Sequence, residues 1–512
     1  MTADPTSLLD IVVRRTANEP STPLVLTIDD GRVGGDGAVV TTHTYGEIGD
    51  RARALSGALA DAGVARGARV GCYLPNGPSW VVASLAVWAR GAAVAAAGTL
   101  LPPAEAASLF DLADASVVVT VTDAPDLPER FTVVRVDRDG VVDGSAPEGR
   151  WSPALPDPGD LAVAIFTSGT TGRPKGVTHA HHDVVAAARR VAAGYARTSD
   201  YRPQPAPAHL APGVVFNPFG HMAGYSRLAF RMWIGRPTVL VPRFSVAAAK
   251  ILLERFAMDT LQLTPTMIHM LATSDEDLDL RTVKYVTSGT APLSIATRER
   301  FEARFGVPVM QAYGMSELGA VAQERYDDVV AGRRGPGSVG RIAAGVEVRI
   351  RALDDDRPAG EGEILVRTDE ASTSFIGGAP VPVDDQGWFA TGDVGRLDDG
   401  ILSITGRVQE KIIVGGFNVY PAEVEDAARR SPLVLDAVVV GVPDERLGER
   451  PVAGIVWAGA PDEGALLDEL RAGLAAYKVP RELFALDAVP LTPRDKVDRR
   501  AVAALASDAR TS

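Results

Sequence analysis

Residues 166–177 read FTSGTTGRPKGV. An apolar lead-in gives way to hydroxyls and glycines, then to a proline and a lysine. Gly169, Gly172 and Gly176 permit backbone angles that other residues resist, so successive N–H groups can turn inward around one object. Thr167, Ser168, Thr170 and Thr171 add hydroxyl donors, and Lys175 adds a positive charge. An anion with several oxygens, most simply a polyphosphate, satisfies all of these at once. The common loop G-x-x-x-x-G-K-S/T does not fit, because Pro174 precedes Lys175 and Gly176 follows it. The stretch reads either as a phosphate loop of another kind or as a plain surface loop, and the rest of the chain has to decide.

Around it stretches a chain of 512 residues, 46% of them apolar, which suits a large folded core divided among two to four domains. The net charge of −13 and pI of about 5.2 argue against a general affinity for nucleic acid or anionic membrane, so an anionic substrate has to be met by local basic groups. A single cysteine, Cys72, excludes an intrachain disulfide, fits a reducing compartment, and reads as a buried small apolar residue. The N-terminal MTADPTSLLDIVVRR lacks the long apolar run of a signal peptide. The segment 81–98, VVASLAVWARGAAVAAAG, is interrupted by Arg90 and Gly91 and is too weakly hydrophobic for a membrane span. A cytoplasmic protein is expected.

Strand-like and helix-like runs alternate through most of the first 400 residues. ARVGCYLP (68–75) reads as a strand, PSWVVASLAVWARGA as a helix and ASVVVTVT (115–122) as a strand; TVLVPR, ILLERFAM, DTLQLTP, RTVKYVTSG and ERFEARFG continue the alternation. From about residue 345 short strands with turn signals (GVEVRIRAL, GEILVRT, GILSITG) suggest a β-rich subdomain. After Gly406 a further unit of mixed α/β content begins. The expected fold is α/β: a large N-terminal domain of stacked mixed sheets with helices and a small β-rich subdomain (1–408), then a small mobile α+β C-terminal domain (409–512). GPGSVG (335–340) matches G-x-G-x-x-G but precedes an alternating strand pattern, so no dinucleotide site is expected there. His179, His181 and His182 lack the companions of a metal site and read as the start of a helix.

Further segments carry chemistry at intervals: NPFGHMAG (217–224), TSGTAPLS (287–294), QAYGMSE (311–317), TGD (391–393), GRVQEKIIVGGFNVYPAEVE (406–425) and PLTPRDKVDRR (490–500). Tyr313 offers a flat face to a purine, and Glu317 a hard oxygen for Mg²⁺ on phosphates. Small residues in TSGTAPLS let backbone approach a flat ligand, and Asp393 can accept both ribose hydroxyls. Taken together with the opening loop, these segments resemble the adenylate-forming superfamily of acyl- and aryl-CoA synthetases, luciferases and peptide-synthetase adenylation domains. The resemblance covers nearly the whole chain.

The resemblance implies ATP, Mg²⁺ and coenzyme A. It implies an ATP site built from Thr167, Ser168, Gly169, Thr170, Thr171, Gly172, Lys175, Thr290, Ala291, Pro292, Gln311, Ala312, Tyr313, Gly314, Met315, Ser316, Asp393, Arg407 and Lys496, with Thr170 and Glu317 serving the metal. It places Lys496, Glu317 and Thr170 in catalysis, His221, Gly289, Thr290 and Gly314 against the acyl group, Gly415 and Gly416 along the pantetheine channel, and Gln409 at the hinge. By the same resemblance Lys496 is expected to bridge the acid and the α-phosphate, stabilising charge as pyrophosphate leaves.

Departures from the family pattern fall at Leu491, Asp495, Gln409 and Thr290, the last standing where Gly or Ala is common. FNPFGHMAGY holds no carboxylate to pair with an α-amino group, which argues against an amino acid. The implied activity is an acid:CoA ligase for an aromatic or medium-sized apolar acid. Alternatives are delivery of the acyl group to a carrier protein, adenylation of an oxyanion such as nitrite, a luciferase-like oxygenase, and a non-enzymatic nucleotide-binding module.

Overall fold

The computed structural model describes residues 4–28, 40–142, 151–167, 174–196, 212–353, 360–368, 372, 374–492 and 497–508. Among the described residues the strands form four sheets, of six, four, nine and five strands. In the six-stranded sheet Thr132–Val136, Val117–Val121, Arg69–Leu74, Ala93–Gly98 and Leu161–Thr167 run parallel, and Lys175–Ala180 closes the edge antiparallel to Leu161–Thr167. Strands buried on both faces are nearly all apolar, and Val117–Val121 (VVVTV) is buried at every position, its one hydroxyl, Thr120 Oγ1, donating to the Tyr73 carbonyl at 2.9 Å. Helix Pro78–Ala89 starts with proline at its first turn and is buried from Pro78 to Trp88, which explains why its sequence is apolar all round. No helix among the described residues is long and apolar enough to cross a membrane. Cys72 is fully buried in the adjoining strand.

The nine-stranded sheet changes character part-way across. Thr260–Leu263, Tyr285–Ser288 and Val309–Met315 are parallel; from Val309–Met315 outward the pairing is antiparallel through Gly319–Gln323, Ser338–Ile342, Ile401–Arg407, Phe389–Asp398, Glu361–Thr368 and Val346–Ala352. The β-rich segment is thus hydrogen-bonded onto the parallel strands. QAYGMSE lies at the carboxyl end of the last parallel strand, where the topology switches, the position at which open α/β sheets bind ligands. The G-x-G-x-x-G match leads into strand Ser338–Ile342, as its alternation predicts. His181 and His182 open helix His181–Ala196, whereas His179 sits in strand Lys175–Ala180, because the antiparallel register with Leu161–Thr167 continues to Ala180.

Beyond Arg407 a three-residue 3₁₀ turn, Val408–Glu410, leads to the five-stranded sheet, which packs helices Pro421–Arg430 and Glu463–Gly473 over its own apolar core.

Candidate active site

The opening loop is the connection of a hairpin. Phe166 pairs with Gly176 and Thr167 with Lys175 across the antiparallel strands, so the two ends of the loop are held together. Ser168, Gly169, Thr170, Thr171 and Gly172 lie outside the described residues. A third segment clamps the exit: the Ile376 amide donates to the Gly176 carbonyl (2.7 Å) and the Thr178 amide to the Ser374 carbonyl (3.2 Å). A side chain at Gly176 would bring its Cβ within 2.6 Å of Ile376 Cδ1, so any larger residue would displace the Ile376 side chain that packs here. Lys175 Nζ lies 5.3 Å from the centre of the Phe375 ring. At the near end of the clamp the Ser372 amide donates to the Glu317 carbonyl (2.7 Å), while Ser372 Oγ donates to the Thr178 carbonyl (2.6 Å). One short segment therefore ties the phosphate-loop exit to the residue expected to serve the metal.

Asp393 and Arg407 face each other across paired strands, and Arg407 Nε donates to Asp393 Oδ1 at 2.8 Å. Tyr313 Oη donates to the other oxygen, Oδ2, at 2.6 Å. The Asp393 amide is anchored on Thr391 Oγ1 at 3.1 Å. Burial, and then the Asp393 charge, push the Tyr313 phenol well above its ordinary value, so it stays a neutral donor. Burial works against the Arg407 charge, but the Asp393 carboxylate outweighs it and raises Arg407 above its usual value. Each carboxylate oxygen keeps acceptor capacity beyond its one internal donor, enough for a pair of ribose hydroxyls. The TSGTAPLS turn packs on the same strand: a Cβ at Gly289 would lie 3.3 Å from the Ala312 carbonyl oxygen. Thr290, exposed in this turn, has φ of +75°, a left-handed conformation that opposes a β-branched side chain. Ala291 and Pro292 continue the turn. Gly314 is bare for a different reason than ligand approach, since a Cβ there would meet the Gly319 carbonyl oxygen at 2.3 Å. The Gln311 side chain is engaged by the chain itself, donating from Nε2 to the Ser338 carbonyl at 3.1 Å. Met315, Ser316 and Glu317 are half-buried at the end of the strand.

His221 caps helix Met222–Ile234 from an extended conformation and is half-buried. It borders a small, mostly apolar cleft with Ala97, Gly98, Leu101, Phe166 and Pro218. The turn before His221 is fixed by buried Asn76, whose Nδ2 donates to the Asn217 carbonyl (2.9 Å) and whose Oδ1 accepts from the Phe219 amide (3.0 Å). Beneath it Trp80 Nε1 donates to Tyr225 Oη at 3.1 Å.

The sequence pattern described as AMP-binding enzyme matches residues 26–374, and that of the AMP-binding enzyme C-terminal domain matches 423–496. The chain belongs to the AMP-binding enzyme family. It is 32% identical over 497 residues to a 7a-methyl-1,5-dioxo-octahydro-1H-inden-4-yl-propanoyl:CoA ligase of Mycobacterium tuberculosis, covering 89% of this chain and 92% of that one. It is 30% identical over 515 residues to a sulfoacetate–CoA ligase of Cupriavidus necator, covering 96% of each. The solved O-succinylbenzoate coenzyme A synthetase of Bacillus subtilis, in complex with ATP and magnesium ion, superposes with a TM-score of 0.79 at 25% identity, over 96% of this chain and 98% of that one. As a member of the AMP-binding family the chain is an acid–thiol ligase with the two-domain adenylate-forming fold.

In this AMP-binding enzyme, Gly415 and Gly416 form the two-residue turn between Ile412–Val414 and Phe417–Val419, with φ of +58° and +91°. A hairpin turn of this length asks for positive φ at both positions, so both glycines have a structural reason to be there. Gln409 is exposed in the middle of the 3₁₀ turn. Lys496 lies outside the described residues; the chain is pinned on either side by an antiparallel bridge between Leu491 and Val497 and by the Asp498 amide donating to the Pro490 carbonyl (2.8 Å). Helix Pro421–Arg430 meets the N-terminal part at helix Ile295–Phe305, where the Ala296 amide donates to Asp426 Oδ1 at 3.3 Å. The donor set suits Mg²⁺ held by one carboxylate and by substrate phosphates, because Glu317 offers a single hard oxygen site and no cluster of three His, Cys, Asp or Glu occurs among the described residues. Asn76 and Ser372 escaped the sequence reading. Asn76 stands just past a strand end, 141 positions from its partner Asn217, and only the fold joins them.

Proposed function

We propose that this acid–thiol ligase activates a medium-sized carboxylic acid with an aromatic or apolar body as its acyl-AMP and passes the acyl group to coenzyme A. The observation that carries the reading is the convergence of the phosphate-loop exit, Glu317 and the Tyr313–Asp393–Arg407 trio at one sheet switch point. Asp393 and Tyr313 hold the nucleoside, which fixes the α-phosphate relative to Lys175 and the loop. The carboxylate of the acid attacks the α-phosphorus, and pyrophosphate leaves. Mg²⁺ held by Glu317 and Thr170 would neutralise phosphate charge. Lys496 stabilises the charge that develops between carboxylate and phosphate. A rotation about Gln409, within residues 409–512, then exchanges Lys496 for Gly415 and Gly416, and the thiol attacks the acyl carbon with AMP as leaving group. His221 and the apolar cleft suit a compact acyl body, and Thr290, standing where Gly or Ala is common in the family, narrows the acyl pocket. The acids named for the relatives carry oxygens beyond the activated carboxylate: two oxo groups in one, a sulfonate in the other.

The test is pyrophosphate release over a broad acid panel, with and without coenzyme A. Release that needs an acid and yields thioester only with coenzyme A is expected; release without thioester under any condition refutes the thiol step. Lys496→Ala should slow acyl-AMP formation by about 100-fold or more, while synthetic acyl-AMP and coenzyme A still give thioester. Equal loss of both half-reactions in a folded variant would refute the alternation.

A further inference from the structure

Helix Met222–Ile234, whose first turn carries His221, bears two arginines one turn apart, Arg227 and Arg231. Side chains at this spacing lie on one face. Arg231 packs its guanidinium against strand Gly213–Val215: a Cβ at Gly213 would lie 2.2 Å from Arg231 Nε. Arg227 is different. It is half-buried, and among the described residues it has no hydrogen-bond or ion-pair partner. The groups within its electrostatic reach are Arg231, which repels it, and Tyr285; no carboxylate is among them. Burial, with Arg231 adding to it, pushes the guanidinium down to about 10, which still leaves a cation at neutral pH. In a chain with net charge −13, a desolvated cation left beside another cation is a cost that packing alone does not explain.

Its position gives the reason. Tyr285 begins the strand that ends at Ser288, and the Gly289–Thr290 turn follows, so Arg227 lies within electrostatic reach of the start of the strand that leads to the acyl side of the nucleotide site. Along the helix it lies six residues below His221, about 9 Å deeper. An acid entering past His221 with its carboxylate toward the phosphate loop would carry its far end toward this cation.

We infer that Arg227 selects the acid by receiving a second anionic group, a carboxylate or sulfonate, at the end of the substrate remote from the carboxylate that is activated. The inference rests on the ligase reading above and narrows it: the apolar body is a spacer between two anionic ends. Arg227 matches such a group with paired N–H donors, which a lysine reproduces only as a point charge.

The experiment compares matched acids that differ only in the distal group: butyrate with glutarate, hexanoate with adipate, and 3-phenylpropanoate with 3-(4-carboxyphenyl)propanoate. Pyrophosphate release is measured for the wild type, Arg227→Met and Arg227→Lys, with KM for ATP as the control for an intact nucleotide site. The wild type should favour the dianion in at least one pair by tenfold or more in kcat/KM. Arg227→Met should lower that ratio by about 10- to 100-fold, and Arg227→Lys should keep part of it. Without substrate, Arg227→Met should unfold at the same or a higher urea concentration, because an uncompensated cation has been removed. A preference for the monoanion in every pair, an unchanged ratio in Arg227→Met, or an earlier unfolding midpoint for that variant would each overturn the inference. Absence of pyrophosphate with every acid of the broad panel would instead overturn the ligase reading beneath it.

Discussion

Replacing Asp393 by alanine removes one buried carboxylate that holds three things together: the Tyr313 hydroxyl at 2.6 Å, the Arg407 guanidinium at 2.8 Å, and, by the reading above, the ribose. The ribose share is a pair of hydrogen bonds to a charged acceptor, together about 2–4 kcal/mol. That corresponds to an increase of roughly 30- to 1,000-fold in KM for ATP. The internal share falls on stability. Arg407, half of whose side chain is exposed, can turn to water, but Tyr313 Oη loses its partner, at a cost of about 1–3 kcal/mol. Tyr313→Phe separates the two shares, because it removes the hydroxyl and keeps the ring that faces the purine. It should reproduce the loss of stability while raising KM for ATP only a few-fold. Steady-state pyrophosphate release at varied ATP, together with urea unfolding, measures both. An unchanged KM in a folded Asp393→Ala variant would remove the carboxylate from the nucleotide site. An equal rise in KM for Tyr313→Phe would show that the carboxylate acts only by holding the tyrosine.

Thr290→Gly should raise the unfolding free energy by about 1 kcal/mol, read as a higher urea midpoint, since relief of a β-branched residue from φ of +75° outweighs the entropy of glycine; a loss of stability would show that the turn is not strained. Stability should also fall on acidification. Burial pushes His179 and His181 down to about 4 from 6.5, so between those values the unfolded chain binds protons that the folded chain refuses. Their contribution is complete above about pH 6.5 and is lost as pH falls toward 4, by up to about 3 kcal/mol for each histidine. A urea midpoint independent of pH from 7 to 5 would refute this, and His179→Leu should flatten the profile.

The parts that were legible in the sequence are those written locally. Continuous apolar runs such as those in ARVGCYLP and ASVVVTVT became strands of the six-stranded sheet, and Pro78 with the apolar run after it became a core helix. The motif residues Tyr313, Asp393 and Arg407 were named as a nucleotide site, and the fold brings them to within hydrogen-bond distance. What stayed hidden depends on pairing across long stretches of chain. The Ser372–Ile376 clamp is too short and irregular to announce itself, and its partners Gly176 and Thr178 stand nearly 200 positions earlier. His179 looked like part of a helix start because a strand edge and a helix cap meet within two residues. Gly314, Gly415 and Gly416 suggested room for a ligand, although close backbone approach and a tight turn already account for them. The hydrogen-bonded continuity of the nine-stranded sheet followed from no single segment.

Arg407 is the last residue of its strand and immediately precedes the 3₁₀ turn at 408–410. In the rotation proposed about Gln409, the residue that grips Asp393 therefore stands two positions from the pivot. A unit of about a hundred residues has a radius of gyration of about 13 Å, so in that rotation a turn of some 10° would sweep its far edge through roughly 6 Å. The ring of Tyr420 rests against Gly406 on the other side of the pivot, where a Cβ would come within 2.7 Å of Tyr420 Cδ1. By the proposed reading such a lever is short at the nucleotide and long at the rim: small changes in how Arg407 sits on Asp393 would be magnified across the C-terminal sheet, and a load on that sheet would return to the Asp393–Arg407 pair with the same mechanical advantage reversed.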